Sequence, residues 1–447
     1  MLKLRRATVV ETRSASAAKP ATRKRAKAAP SLFGGGAGAE AEQRLVVELA
    51  PSGDGAADAG ATGASGVGEH REAIADVTLV GHAEVGDEVI VNTEALDLGL
   101  GSGGFDVVHV NLTRGLGGDG NPTNAANPRS TRANVMKLNY TSLQHVVAPV
   151  EGGESGPLEL PLKRPAAVLA LHGQLAAVAW AFAQAAPEAR LGYVQSSGGA
   201  LPGGHSRTVR MLRERGLLAG HLTAGASFGG EAEAITTAGA LHHGLRALGW
   251  DAAVCGPGPG IIGSGSTLGH GGMVALDSAH VALALGCPTL LVARMSSGEE
   301  RSRHRGISHH SLTVLDLLLE PVTVALPAGM RSPVGADLRA GLQSVFGGAM
   351  PSPPADDGPA PAIELASPSR DEAQGGERHA PERPARIARH DWRRAKVDLP
   401  AYAASGLPGE TMGRGLADDP LFFGAALAGG GVLAELALQA ATEAASV

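Results

Sequence analysis

The run RSRHRGISHH at 301–310 holds the densest group of reactive side chains in this 447-residue chain. Arg301, Arg303 and Arg305 present planar donors suited to phosphate or carboxylate, and Arg294 stands just upstream at a predicted strand end. His304, His309 and His310 add imidazoles, which titrate near pH ~6.5 when unperturbed and so suit proton transfer at neutral pH. With Ser308 as an N-cap, His309 and His310 fall in the first turn of a helix, beside the positive end of its dipole. Such a run can neutralise an anion, serve as acid and base, or ligate a metal. Adjacent histidines on a helix usually point apart, and no carboxylate or cysteine completes a ligand set locally. Anion contact and acid–base work therefore rank ahead of metal, with a plain solvated basic loop as the bland alternative.

A second candidate is WDAAVCGPGPGIIGSGSTLGHGG at 250–272, read as a short apolar strand, a long glycine loop and the start of a helix. Glycines let backbone N–H groups approach a ligand, and Pro257 and Pro259 hold the residues before them extended. Gly258, Gly260 and Gly263 spell G-x-G-x-x-G, but Pro259 interrupts the motif and the next strand ends at Arg294 instead of an acidic residue. A dinucleotide fingerprint is thus weak, and the absence of G-K-[ST] excludes a Walker loop. Ser264, Ser266 and Thr267 remain as hydroxyl donors, although Ser266 or Thr267 can also simply cap the helix.

Three more polar segments follow predicted strands: His172-Gly173-Gln174, Ser196-Ser197-Gly198-Gly199, and Ser227 to Glu231 with Gly229 and Gly230 between. In an open parallel sheet the loops beyond the carboxyl ends meet, with helix N-termini aimed at the same space. Ser196, Ser197, Gly198, Gly229, Gly230, Glu231 and Arg305 are therefore expected to contact a ligand together with the glycine loop. Ser196 and Ser197 lack the G-x-S-x-G frame of a nucleophile elbow. Cys255 at a strand tip reads as a small buried apolar residue rather than a nucleophile.

The elements that must position these groups change period along the chain. Residues 4–12, 44–49, 73–79, 88–92 and 106–112 read as short strands separated by Gly and Asp turns, which predicts a small antiparallel β domain over 1–112 with insertions at 14–42 and 51–69. A polar linker covers 113–134. From 135 to 349 strands alternate with helices, at 166–171, 191–195, 221–225, 251–255 and 289–293, which predicts a doubly wound, mainly parallel, Rossmann-like α/β domain. Residues 350–395 read as a disordered linker, and 396–447 as a helical segment docking on that domain, its helix at 421–444 interrupted by Gly429–Gly431.

Composition narrows the function classes. Hydrophobic residues make up 43% and aromatics 3%, so the core must be built from Ala, Val and Leu. A net charge of −6 argues against general attraction to nucleic acid or acidic membranes, and the RKRAK run at 23–27 has no interleaved aromatics. Two cysteines, no apolar leader and no unbroken span predict a cytoplasmic, non-membrane protein, with a homo-oligomer left open.

The segments 85–108, VMKLNYTSLQ (135–144), LHGQL (171–175), SFGGEAEA (227–234), GPGIIGSGS (258–266), HRGISHHSLT (304–313) and TMGRGL with DDP (411–420) together resemble a bacterial family catalogued as domain of unknown function 3866. The resemblance implies that these segments belong together and carries no activity or cofactor. This chain departs from the family pattern with Asn134 before the Met-Lys pair, where a His is common, and with Ser197 where an Asp is common.

The leading expectation is a protein that binds a small anionic molecule, phosphorylated or nucleotide-like, and uses His304, His309 or His310 as acid or base, with His172 nearby. The second is a metal-dependent hydrolase in which His172 or His270 joins the cluster. The third is a non-catalytic sensor.

Overall fold

In the computed structural model the described residues are 2–13, 42–51, 68–99, 104–116, 135–152, 158–330 and 383–446. The basic run at 23–27 and most of the 350–395 segment lie outside them. The chain divides into two compact units, Met1–Ala148 and Pro149–Val447.

The first unit is a closed five-stranded barrel: β1 (Leu4–Arg13), β2 (Glu42–Leu49), β3 (Glu69–Asp76), β4 (Glu88–Asn92) and β5 (Asp106–Asn111), in the order β1-β2-β3-β5-β4. Alternating side chains, Val9 and Ala7 on β1, Leu45, Val47 and Leu49 on β2, Val89 and Val91 on β4, fill its interior. The expected antiparallel domain is corrected in one respect, since β3 and β5 pair in parallel. A period of two reports which face is buried and is blind to strand direction. A hairpin of β6 (Val135–Lys137) and β7 (His145–Val147) completes the unit.

The second unit is built on an eight-stranded sheet. Its members are β8 (Ala166–Leu169), β9 (Leu191–Ser196), β10 (Gly220–Ala224), β11 (Ala232–Ala234), β12 (Ala252–Pro257), β13 (Thr289–Val292), β16 (Thr323–Ala328) and β17 (Asp391–Lys396). They run in the order β11-β10-β9-β12-β8-β13-β16-β17, and all seven pairings are parallel. β8, β12 and β13 are buried at every position, as strands covered on both faces must be. One face packs the helices Leu175–Ala185 and Pro420–Ala445, and the other packs Val274–Ala284 and His309–Leu317. The chain leaves β8 toward the first face and β12 toward the second, so the crevice between their carboxyl ends is a topological switch point. Two short hairpins sit beside it, β14 (Met295–Ser296) with β15 (Gly306–Ile307), and β18 (Glu410–Thr411) with β19 (Arg414–Gly415).

Several expected boundaries shift. Residues 232–234 form the edge strand β11, and the helix that follows begins at Thr237, its N-terminus capped by the Thr236 side chain. β17 extends the sheet from the stretch assigned to a linker, because its pairing partner β16 supplies the order that composition lacks. The helix Pro420–Ala445 is continuous through Gly429–Gly431. A Cβ on Gly430 would lie 2.3 Å from the Val178 carbonyl oxygen, and one on Gly429 2.8 Å from Val292, so these glycines allow close packing that outweighs their poor helix propensity of about 1 kcal/mol each. This helix is long and apolar enough to cross a membrane, but 83% of its most apolar window is buried inside the unit. Burying Phe422, Phe423, Leu427 and Leu433 here stabilises the fold by roughly 1.5–3 kcal/mol each.

Candidate functional site

Beyond β13 the chain forms the β14–β15 hairpin and returns to the strand end. Ser308 N–H donates to the Arg294 carbonyl at 2.9 Å, and Arg294 N–H donates to Ser311 Oγ at 2.8 Å. Ser308 then caps the helix His309–Leu317, its Oγ accepting from the His310 amide at 3.3 Å. The expected cap is therefore present, and it fixes both histidines at the helix start.

Four imidazoles meet there. The His309 and His310 ring centroids are 4.0 Å apart, His304 lies 4.8 Å from His309 and 5.0 Å from His310, and His270 stacks on His310 at 3.9 Å. One nitrogen from each of His304, His309 and His310 lies within 4.8 Å of the others. Adjacent histidines were expected to diverge, and on an isolated helix they would. Here His304 arrives from the hairpin and closes the angle between them.

Hydrogen bonds set the tautomers. His270 Nδ1 accepts from the Gly272 amide at 3.0 Å, which leaves its proton on Nε2. Arg303 Nε donates to His304 Nε2 at 3.4 Å, so the His304 proton sits on Nδ1 and points to Ser308 Oγ at 2.8 Å. His310 is 4% exposed and neither of its ring nitrogens has a hydrogen-bond partner. Burial first, then the arginines and neighbouring imidazoles, lower the pKa of His304 and His310 to about 3 and that of His270 to about 4. These three rings are neutral at pH 7, which removes them as ready-charged acids.

The arginines nearby serve one buried carboxylate. Glu299 accepts from Arg294 at 3.0 Å, Arg301 at 2.9 Å and Arg414 at 3.2 Å, and the Arg301 hydrogen bond first, with the charges of Arg414 and Arg301, holds its pKa down to about 2 against the opposing effect of burial. Asp419, fully buried, accepts from Ser296 Oγ at 2.5 Å, the Ser297 amide at 2.8 Å, the Gly298 amide at 3.3 Å and Arg414 Nε at 3.3 Å. The C-terminal segment is thereby clamped to the loop that carries the histidines. Arg294 keeps its buried Nε without a partner, whereas Arg305 is exposed and bonds the Ser297 carbonyl.

The glycine loop reaches this cluster through His270, which bridges to Gly263. Its other groups are mostly spent on the protein itself. Ser264 Oγ and Ser266 Oγ bond each other at 2.8 Å and also bond Gly269, and Thr267 is exposed in the same turn. Pro259 O accepts from the Ala200 amide, a Cβ on Gly258 would lie 2.2 Å from the Ala200 carbonyl oxygen, and Gly260 takes a positive φ of 73° nearby. A Cβ on Gly271 would lie 2.0 Å from the Gly198 carbonyl oxygen, so the loop is pinned to the segment after β9. Ser196 Oγ lies 3.4 Å from the Ser197 carbonyl, and Ser196 O accepts from Ser227 Oγ. Farther along the edge, Gly229 N–H goes to Glu233, Gly230 N–H to Thr223, and Glu231 pairs with Arg213, which accounts for that segment within the β10–β11 connection.

His172 belongs to a different group. Its Nδ1–H donates to the Pro257 carbonyl at 3.1 Å and its Nε2 accepts from Ser206 Oγ at 2.7 Å, which ties the end of β8 to the end of β12. Tyr193 packs 6.0 Å from it and stacks on His221 at 5.3 Å. With both nitrogens engaged, His172 has no lone pair to offer a metal or a substrate proton, so it is a staple of the switch point. Gln174 acts likewise, donating to the Val292 carbonyl at 3.0 Å. The residues that sequence reasoning passed over are Glu299, Arg414 and Asp419. The last two lie in the 411–420 segments singled out by family resemblance, which was the one signal that could have found them.

A family model described as Protein of unknown function (DUF3866) matches residues 72–430. No curated protein and no solved structure matches the chain.

Proposed function

Since the chain belongs to the DUF3866 family, whose description names no activity, we propose from the site itself that this protein binds a small anionic molecule at the imidazole cluster beyond β13. The observation that carries this reading is the meeting of His270 with His310 at 3.9 Å, which joins the glycine loop to a helix N-terminus within the field of the buried Arg294 guanidinium. The helix dipole and Arg294 favour negative charge there. His270 Nε2–H supplies a neutral donor in the same place. The expected roles of Ser264, Ser266, Gly229, Gly230 and Glu231 drop out of the proposal, because their polar groups already bond the protein.

The test is a melting experiment on the full chain with inorganic phosphate, pyrophosphate, nucleoside phosphates and sugar phosphates. At least one anion raises Tm in a concentration-dependent way. That gain is lost in His310→Leu and kept in His172→Asn. No shift with any anion, or a shift that survives His310→Leu, overturns the reading.

A further inference from the structure

We propose that His304, His309 and His310 hold a divalent transition metal of the zinc class, with a fourth coordination position open to water or an anion. The three side chains come from the turn Ser302–His304 and the start of the helix His309–Leu317 that follows it, and bring one nitrogen each within 4.8 Å of the others. Nitrogens bound tetrahedrally at ~2.0–2.1 Å from zinc stand roughly 3.4 Å apart, which small rotations about the side-chain torsions can supply. The lone pairs are correctly disposed. His304 has its proton on Nδ1, where Ser308 Oγ receives it, and its Nε2 lone pair meets only the exposed side chain of Arg303 at 3.4 Å, a long contact that a metal displaces without moving the backbone. His310 is buried with neither ring nitrogen engaged by a protein group. An interior imidazole in that condition is costly unless something outside the chain binds it.

The same Ser308 Oγ accepts from the His310 amide, so one hydroxyl orients two of the three ligands, as outer partners of metal-bound histidines do. His270 stays out of the ligand set, because its Nδ1 lone pair is used by Gly272 N–H and its Nε2 carries the proton. An all-imidazole set without carboxylate suits zinc, cobalt, nickel or copper and disfavours magnesium and calcium. The guanidinium of Arg294 opposes a bare dication, and an anion in the fourth position offsets the excess charge. The inference deepens the anion reading and rests on it only for the occupant of that position.

The experiment uses the full-length, untagged chain, stripped with chelator and titrated with Co2+. The expected result is one equivalent bound with the visible band of four-coordinate cobalt, which Zn2+ then bleaches. His309→Ala lowers metal affinity by at least ~100-fold and Ser308→Ala by about 10- to 100-fold, with the fold verified by circular dichroism. His172→Asn leaves the band unchanged. A folded chain that gives no band, or a band that persists in His309→Ala, overturns the metal site. Phosphate titrations run in parallel with chelator present separate the two readings. A phosphate response without a cobalt band overturns the metal and leaves the anion reading standing, and a cobalt band without an anion response supports the metal and removes the anion.

Discussion

Two groups of histidines stand at the carboxyl edge of one sheet, and they are built in opposite ways. In the first, His172 has both ring nitrogens committed to the protein, and Tyr193 packs tilted against it and stacks on His221. In the second, His270, His304, His309 and His310 gather together, and neither ring nitrogen of His310 has a hydrogen-bond partner. Burial alone does not separate them, since His172, His221, His304 and His310 are all buried. What separates them is what the rings meet. His172 spends both nitrogens on Pro257 and Ser206 and so fixes strand ends, whereas in the second group imidazoles converge on one another around His310, whose ring nitrogens bond no protein group.

The largest expected effect tests the support beneath the second group. Glu299→Gln removes the charge shared by Arg294, Arg301 and Arg414 and leaves buried guanidinium uncompensated, which should cost ~3–5 kcal/mol in urea denaturation. If stability is unchanged, the carboxylate does not hold the loop.

Acid should act next, and both groups contribute, since burial lowers the pKa of His270, His304 and His310 as it does that of His172 and His221. The pKa of His172 is lowered from 6.5 to about 4 by burial, and that of His221 from 6.5 to about 3 by burial and the neighbouring His172. The unfolded chain therefore takes up protons first. Stability from these rings is complete above pH 6.5 and is lost as pH falls through 6.5 toward 4 for His172 and 3 for His221, about 3 kcal/mol for the first and about 5 kcal/mol for the second. Denaturation midpoints at pH 7.5 and 4.5 check this, and a flat profile would sink it.

A smaller loss, ~2 kcal/mol, is expected for His172→Ala, which strands the Pro257 carbonyl and the Ser206 hydroxyl. Ser308→Ala should cost ~1 kcal/mol through the lost helix cap while weakening ligand binding more than stability. The smallest effect on stability sharpens the contrast most. His310→Leu should be neutral, or stabilise by up to ~1 kcal/mol, because two unbonded nitrogens leave the interior, while the anion response disappears. A His310→Leu variant as damaged as His172→Ala would make the two groups equivalent.

Much of the frame was legible in the residues. The apolar runs at 166–169, 252–257 and 289–292 are strands, and the polar segments that follow them lie at the switch-point edge. Ser308 is the cap that its position before His309 suggests. The Gly429–Gly431 stretch misled, because local propensity counts the cost of glycine and cannot see Val178 lying against it. His172 misled in the same way, since a histidine after a strand looks the same whether its nitrogens are used or unused. The hydroxyls of Ser264 and Ser266 looked available to a ligand and instead bond each other.

By itself, the sequence determined periodicity, caps and breaks, because these depend on neighbours within a few residues along the chain. It therefore settled the α/β class, the burial of Cys255 and the presence of a histidine-rich helix start. Tertiary structure alone decided the parallel β3–β5 contact, the addition of β17 to the sheet, the clamp of Arg414 and Asp419 on the 294–301 loop, and the meeting of His270 with His310. Each of these joins groups distant along the chain, and what a side chain can do depends on which partners consume its donors and lone pairs once the chain has closed on itself.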